Sequence, residues 1–386
     1  MLIGEYSQLM KYLPTLFTIV LLFSCSQSPE HKIPVYGWLN GPGMATDKEL
    51  SNAFTFLKKR GIDGLMYNGG QAPQTYARVG KIAKNAGLEF YAWIPTLIQG
   101  NIQKLGFELY AINGKGESAF ENPPYVNYYK FLCPNREEVY KFLAELYGAV
   151  ADVPHVDGIH LDYIRFPDVI LGRGLWDKYG LVMDREYPEY DYCYCEKCIN
   201  DFKEKTGIDI NTVEDPSQIQ EWKQFRCDLI TRLVNRLAKV VHSKGKKINA
   251  AVFPGPGSVA TRTVRQEWDK WDLDAVFPMN YNDFYAEGPE WIGEVTKEEA
   301  AALGGRFPFY SGLFICPHPE RKSREKDPEN LGLLPEELAT AIRLSMENGA
   351  TGICLFTPGR MTRGHWEALE KAIYIETEEM LRRENK

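Results

Sequence analysis

The sequence has 386 residues, of which 44% are hydrophobic and 25% are charged, and its formal net charge at pH 7 is −7. A chain of this length and composition is ordinary for one large α/β barrel domain. Nucleic acid is not expected as a partner, because phosphate binding requires concentrated Lys and Arg, and the sequence has no long basic run.

The N-terminal segment is typical of an exported protein. An apolar run at residues 12–23 is too short to cross a bilayer as a stable helix, and Ser24-Cys25-Ser26 follows it at once. Residues 1–24 are therefore predicted to be a signal peptide. Leu22-Phe23-Ser24-Cys25 resembles a bacterial lipobox, in which the cysteine becomes the lipidated first residue of the mature protein.

We therefore expect Cys25 to carry a lipid and residues 25–32 to form a lipid-anchored tether. The membrane would then be a partner through this lipid. The mature protein would be anchored to the bacterial cell envelope, on its periplasmic or outer surface. The alternative is a cleaved signal peptide that leaves an ordinary cysteine at position 25.

From residue 33 onward, short β-branched or aromatic runs alternate with helical segments about eight times, as in a (β/α)8 TIM barrel. The predicted strands are residues 33–39, 64–67, 89–94, 158–163, 248–253, 275–277, 309–314 and 352–356. We expect residues 33–386 to form this single α/β domain.

Several predicted helices also carry start and stop signals. Thr46 with Glu49 forms a capping-box pattern ahead of an apolar stripe, and Gly61 can supply a left-handed stop. Pro335 suits a first helical turn, and Gly349 ends that helix just before the last strand. These signals support the count of alternating elements independently of hydropathy.

Two connections are much longer than a barrel needs. One covers residues 95–135 after strand three, and the other covers residues 166–215 after strand four. Loops that follow strands lie at the catalytic face of a TIM barrel. We therefore expect both to wall a cleft there.

The segment Val156-Asp157-Gly158-Ile159-His160-Leu161-Asp162-Tyr163-Ile164-Arg165-Phe166-Pro167 is the most informative part of the chain. Because strand side chains alternate between faces, Ile159 and Leu161 should face the helices while His160 and Asp162 point into the barrel. Asp162 then lies at the carboxyl end of the strand, where barrel enzymes place catalytic groups. Asp157 lies near the other end, so a structural role is expected for it.

Four blocks of the sequence resemble the glycosyl-hydrolase-like family labelled "family 10 glycosylhydrolase", whose members are TIM barrels. The blocks are residues 89–93, residues 157–167, Trp222 with Arg226, and residues 268–271 followed by 277–281. The block in strand four is the most specific of them. The resemblance implies a barrel fold and a sugar-polymer context, but no particular substrate.

The strand-four block is also similar to the chitinase signature, in which an acidic residue follows two positions after the last aspartate. Ile164 occupies that position in this chain. Since the acidic residue is the general acid of substrate-assisted chitinases, the sequence departs from that pattern. The chitinase mechanism is therefore not expected.

Glycoside hydrolysis ordinarily needs two carboxyl groups, one as acid and one as nucleophile or base. Asp162 is the first candidate, and Asp283 is the proposed partner because it follows strand six at the barrel mouth. Glu287 and Asp168 are the reserves. The predicted function is hydrolysis of a polysaccharide or glycan at the cell envelope. The alternative is a non-catalytic, carbohydrate-binding lipoprotein on the same scaffold.

A set of aromatic and polar residues is expected to share the barrel mouth, where stacking rings and directed hydrogen bonds could hold a sugar. The candidates for substrate binding are Trp38, Tyr67, Asn68, Trp93, His160, Arg165, Asn280, Tyr281, Thr357 and Arg360. Core packing is the alternative for each tryptophan. His160 could equally be a buried histidine satisfied by one neighbour, and pairing with a carboxylate is the favoured role for Arg165.

Three cysteines, Cys193, Cys195 and Cys198, lie within six residues, and Cys133 lies in the other long connection. A C-x-C-x-x-C run with one distant cysteine can complete the tetrahedral thiolate set that zinc prefers. This spacing resembles the structural zinc cluster of family 42 β-galactosidases. We predict a structural zinc and no organic cofactor, with a disulfide as the alternative because exported proteins meet oxidising conditions.

Overall fold

The computed structural model describes residues 33–41, 45–100, 105–316 and 327–384, all of which belong to one compact unit. The predicted signal peptide, the tether and Cys25 lie outside the described residues. In the described part of the chain, no helix is both long enough and apolar enough to span a membrane.

Eight parallel strands form a barrel. They are β1 (Val35–Asn40), β2 (Gly64–Asn68), β3 (Glu89–Pro95), β4 (Gly158–Asp162), β5 (Lys247–Val252), β6 (Ala275–Pro278), β7 (Tyr310–Phe314) and β8 (Gly352–Phe356). Each strand pairs with its sequence neighbour and β1 pairs with β8. Single bridges from Val276 to Phe309 and from Met279 to Gly312 join β6 to β7. The predicted (β/α)8 TIM barrel is confirmed.

Helices connect the strands on the outside of the barrel. They are α1 (Asp47–Lys59), α2 (Pro73–Asn85), α3 (Glu137–Ala151), α4 (Trp176–Tyr179), α5 (Glu196–Thr206), α6 (Gln220–His242), α7 (Thr261–Val264), α8 (Glu290–Leu303), α9 (Pro335–Glu347) and α10 (Arg363–Glu384). Several single-turn helices lie in the loops.

The sequence signals for helix ends are present in the structure. The Thr46 hydroxyl accepts the backbone N–H of Glu49, and the Glu49 carboxylate accepts the backbone N–H of Thr46 at 2.8 Å. Gly61 and Gly349 adopt φ values of 87° and 101°, which disfavour residues with a side chain. Pro335 opens α9. These local contacts explain why the helix boundaries could be predicted.

Side chains of β4 alternate between two cores, as predicted. Ile159 and Leu161 are buried in the layer between strands and helices. His160 points into the barrel, where its ring lies 5.4 Å from that of Phe277. At the opposite end, Asp157 accepts the backbone N–H of Phe90 at 2.7 Å. Asp157 therefore joins β3 to β4 at the bottom of the barrel.

The two long loops after β3 and β4 contact each other. The backbone N–H of Tyr194 donates to the carbonyl of Ile112 at 2.7 Å. In the second long loop, the buried Asp191 pairs with Arg226 and lies 3.5 Å from Arg265. Burial alone would raise the pKa of Asp191, but the two guanidinium groups hold it below its ordinary value. The second long loop is therefore tied to α6 by a buried charge network.

Candidate active site

A cavity of about 430 Å³ opens at the carboxyl ends of the strands. Its walls come from strand ends and from both long loops, and most of its lining is aromatic. The rings include Trp38, Trp93, Tyr129, Tyr163, Tyr281 and Phe356. An apolar concave site with a few charged groups is the usual form of a small-molecule binding site.

Asp162 lies in this cavity at the end of β4, and it is only 9% exposed. The indole N–H of Trp93 donates to its Oδ2 at 2.8 Å, and the backbone N–H of Tyr163 donates to its Oδ1 at 2.7 Å. Burial raises the pKa of Asp162, while these two donors and the nearby Arg165 oppose the rise. The carboxyl group is thus held in one orientation within an apolar setting.

The backbone turns sharply directly after Asp162. Tyr163 has a φ of 48°, a left-handed conformation that is a genuine outlier for a bulky residue. Such strain persists only where the surrounding structure enforces it, and it occurs often at functional sites. Here the turn ends β4 one residue before the predicted boundary and brings the Tyr163 amide onto the Asp162 carboxylate.

His160 does not line the cavity but supports a residue that does. It is fully buried, and its Nε2 accepts the indole N–H of Trp38 at 2.8 Å. Its Nδ1 must then carry the proton donated to Oδ1 of Asn249, 2.6 Å away. Burial lowers the pKa of His160 to about 3, so the ring stays neutral. The network fixes the position of Trp38.

Arg165 and Asp168 form an ion pair at one wall of the cavity. Their side chains are both 5% exposed, and Nη1 of Arg165 lies 2.8 Å from Oδ2 of Asp168. The guanidinium group also lies 4.8 Å from the ring centre of Phe253. The expected pairing of Arg165 with a carboxylate is therefore present, and the pair shapes the wall beside Asp162.

The structure brings most of the predicted binding residues together. The candidates that line the cavity with Asp162 are Trp38, Asn68, Trp93, Arg165, Tyr281 and Arg360. Tyr67 instead packs between the rings of Phe54 and Phe90 on the helix side of β2. Asn280 is fully buried, and its amide donates to Glu299 and Ser311. Thr357 is not in the cavity lining, although its hydroxyl is buried near the end of β8.

The proposed second carboxylate, Asp283, is not among the residues that line the cavity. It lies in the single-turn helix Asn282–Tyr285, and its Oδ2 accepts the backbone N–H of Gly332 at 2.8 Å. Glu287 is exposed and also outside the lining. The assignment of Asp283 as the general acid stays a prediction.

Glu329 is a cavity carboxylate that the sequence did not indicate. It lies in the single-turn helix Pro328–Asn330, beyond β7, and its side chain is 55% exposed. Nζ of Lys178, from the second long loop, lies 2.8 Å from its carboxylate. Sequence position offers no signal for this residue, because it is far from any strand end.

Glu299 is a buried carboxyl group that the sequence also did not indicate. It is fully buried on α8, accepts the amide N–H of Asn280 at 3.1 Å and accepts the backbone N–H of Gly255 at 3.2 Å. Burial raises the pKa of Glu299 to about 8. Glu299 therefore links the ends of β5 and β6 from outside the cavity.

The four predicted metal ligands converge in the contact between the two long loops. All four sulfur atoms of Cys133, Cys193, Cys195 and Cys198 lie within 4.8 Å of one another, and all four residues are buried free cysteines. The Cys133 sulfur lies 3.5 Å from that of Cys198 and 3.7 Å from that of Cys195. These separations fit a tetrahedron of thiolates around zinc, whose edges are about 3.8 Å for Zn–S bonds of about 2.3 Å. The cluster can hold a metal ion.

No protein-family model matches the sequence, and no curated protein matches it. Solved structures do match. The PgaB (BpsB) glycoside hydrolase domain from Bordetella bronchiseptica aligns with a TM-score of 0.65 at 13% identity, covering 88% of this chain and 99% of that one. The catalytic domain of β-amylase from Paenibacillus polymyxa aligns with a TM-score of 0.57 at 12% identity, covering 90% and 99%.

A β-galactosidase from the haloarchaeon Halorubrum lacusprofundi aligns with a TM-score of 0.61 at 10% identity, covering 89% of this chain and 58% of that one. At sequence identities of 10 to 13%, the structural similarity to these proteins shows only that the fold is shared. This chain is a TIM barrel of the form that these glycoside hydrolases have. The narrower resemblance to the family labelled "family 10 glycosylhydrolase" stays a prediction.

Proposed function

We propose that this protein hydrolyses glycosidic bonds in a polysaccharide or glycan at the bacterial cell envelope. The observation that carries the proposal is Asp162, a carboxyl group held by two hydrogen bonds in an aromatic cavity at the barrel mouth. The form of the barrel supports it, since the structural neighbours are named as glycoside hydrolases.

In this mechanism Asp162 serves as the nucleophile or as the charged stabiliser of the transition state. Both of its oxygens accept N–H groups, from Trp93 and from the Tyr163 backbone, and such donors favour the ionised form. They also orient the carboxylate toward a fixed point in the cavity. Trp38 and Trp93 line the cavity but are only 1% and 7% exposed. The better exposed rings of Tyr128, Tyr163 and Tyr281 therefore offer the faces on which the apolar side of a sugar can stack.

The second carboxyl group must protonate the leaving oxygen or activate water. Among the cavity carboxylates, Glu329 suits this role better than Asp168. The ion pair of Asp168 with Arg165 is buried, whereas Glu329 is half-exposed and can exchange Lys178 for substrate at little cost. Asp283 remains the alternative from the sequence.

The test is a screen of the purified protein against a glycan panel with product analysis, followed by Asp162→Asn, Glu329→Gln, Asp168→Asn and Asp283→Asn variants. We expect Asp162→Asn to lose at least about 100-fold in turnover. If Asp162 is the nucleophile, azide should restore turnover to the truncated variant Asp162→Ala, in which the carboxylate leaves a space for the anion. Asp157→Asn, at the opposite end of the barrel, is the matched control. A folded Asp162→Asn variant with near wild-type turnover would falsify the assignment.

One observation favours a second candidate function, capture of a carbohydrate without cleavage. The other two cavity carboxylates, Asp168 and Glu329, are both in ion pairs. Asp162 would then act as a hydrogen-bond acceptor for sugar hydroxyls. Isothermal titration decides between the two functions: binding of a panel glycan that yields no product after prolonged incubation supports capture, and product formation supports hydrolysis.

We also propose that the four-cysteine cluster binds one structural zinc that braces the two long loops. Cys195 is the N-cap of α5, where the helix dipole stabilises a thiolate, and the backbone N–H of Ile112 donates to Cys193 Sγ at 3.4 Å. Four protein thiolates leave no open coordination position, so the role is structural. Elemental analysis should find about one zinc per chain. A mapped disulfide and no metal would overturn this.

For localisation, we propose export and lipid attachment at Cys25, on the sequence pattern alone. Replacing Cys25 with Ser should release soluble protein or stall processing. Membrane fractionation with mobility analysis tests this. A Cys25→Ser variant that remains fully membrane-bound with unchanged mobility shows that the anchor assignment is wrong.

A further inference from the structure

Arg360 is a cavity arginine that forms no ion pair with the residues that the structure describes. It ends the single-turn helix Pro358–Arg360, which follows β8 at the barrel mouth, and it lines the same cavity as Asp162. Its Nη1 is buried and has no hydrogen-bond partner in the described part of the chain. A buried donor left unpaired costs free energy, so a partner from outside the protein would stabilise it.

Two aromatic rings hold this guanidinium group in place. Its central carbon lies 5.0 Å from the ring centre of Phe314 and 5.5 Å from that of Phe356. These two rings stack on each other at 5.6 Å. A guanidinium fixed over aromatic faces keeps its N–H groups free for a ligand and loses little conformational entropy when it binds one.

The three fully buried arginines in the described part of the chain are paired with carboxylates, whereas Arg360 is partly buried. Arg165 bonds to Asp168 at 2.8 Å, Arg226 pairs with Asp191, and Arg265 bonds to Glu186 at 2.6 Å. Glu329, the cavity carboxylate that acts electrostatically on Arg360, is instead bonded to Lys178. Arg136, Arg226 and Arg265 also have one buried N–H without a hydrogen-bond partner, but none of these three arginines lines the cavity. Arg360 is therefore the cavity arginine that no carboxylate in the described part of the chain pairs with.

From this geometry we infer that Arg360 binds an anionic group on the sugar, so that the site is selective for acidic glycans. The chemistry is that of a carboxylate or a sulfate ester, because the planar guanidinium presents two parallel donors that match either group. The inference rests on the proposed carbohydrate-directed function and specifies its substrate class as uronic-acid or sulfated glycans.

Matched probe pairs test the charge without changing the size of the sugar. We would titrate the full-length protein with trigalacturonate and its methyl ester, and with a sulfated chondroitin oligosaccharide and its unsulfated counterpart. A charge-assisted hydrogen bond is worth about 1.5 to 3 kcal/mol, which corresponds to a preference for the acidic member of roughly 10-fold or more. The pair that shows it identifies carboxylate or sulfate as the ligand.

Arg360→Gln should abolish this preference, and Arg360→Lys should restore part of it. Arg262→Gln is the control, because Arg262 is an exposed arginine on α7 outside the cavity lining. The inference is overturned if the wild-type protein prefers no acidic member, or if Arg360→Gln leaves the preference intact. Cleavage of neutral glycans without charge preference would sink this inference and leave the hydrolase proposal standing. A preference for the acidic glycan without any cleavage would support this inference and contradict the hydrolase proposal.

Discussion

Replacing Glu299 with Gln should make the protein more stable at alkaline pH. The carboxyl group of Glu299 is fully buried on α8 between Asn280 and the Gly255 backbone, and burial raises its pKa to about 8. Gln has nearly the same shape and is neutral at every pH. The substitution therefore removes the ionisable group and keeps its size.

The size of the expected stability difference follows from the pKa of Glu299 in the unfolded chain and its pKa in the folded protein. Below pH 4.5, its ordinary value, the side chain is protonated in both the folded and the unfolded protein. Between pH 4.5 and 8 only the unfolded chain releases the proton, so stability falls by about 1.4 kcal/mol per pH unit, or about 5 kcal/mol in total. The Gln variant does not lose this unfolding free energy, because its side chain has no proton to release.

His160 makes the stability of the protein depend on pH in the opposite direction. Burial lowers its pKa from 6.5 to about 3, so the stability it contributes is fully present above pH 6.5 and is lost as the pH falls toward 3. Both the wild-type protein and the Glu299→Gln variant contain His160. The difference between their unfolding free energies therefore isolates Glu299.

The assay is equilibrium urea unfolding, followed by circular dichroism at intervals from pH 4.5 to 9. The advantage of Glu299→Gln over the wild type should grow across this range and level off above pH 8. Glu294→Gln, an exposed position on the same helix, should stay within about 0.5 kcal/mol of the wild type. If the difference for Glu299→Gln is as flat as that of the control, the buried neutral carboxyl group is refuted.

Three further outcomes are expected. His160→Phe leaves the Trp38 indole and the Asn249 amide unpaired in the core and should cost about 2 to 5 kcal/mol in urea unfolding. Asp157→Ala removes the acceptor of the Phe90 amide and should cost about 1 to 3 kcal/mol without changing glycan affinity. If the four-cysteine cluster holds zinc, prolonged chelation should lower the melting temperature and admit protease cleavage in the two long loops, whereas unchanged cleavage would contradict the bracing role.

The fold could be read from the sequence because its signals are local. Strand runs, the Thr46 capping box and Gly61 each depend on residues close together in the chain, and the strand boundaries agree to within two residues. The alternation along β4 also placed His160 and Asp162 inside the barrel. Strand periodicity is a property of the backbone and does not depend on distant partners.

The convergence of the four cysteines was also predicted from the sequence, because the C-x-C-x-x-C spacing of three of them in one loop is typical of a metal site that a fourth cysteine completes. Their position at the contact of the two long loops came from the tertiary structure, through the pairing of Tyr194 with Ile112.

The second carboxylate and the charge balance of the cavity depend on tertiary contacts. Glu329 enters the cavity from a single-turn helix beyond β7, and Asp283 accepts the Gly332 backbone N–H. Arg360 lies over two rings and forms no ion pair with the described residues. Strand periodicity predicts which face of the sheet a side chain lies on, but it does not predict the conformation of the loop that follows the strand. Loop conformation and ion pairing depend on residues distant in the chain, so only the packed structure decides which carboxylates face the cavity.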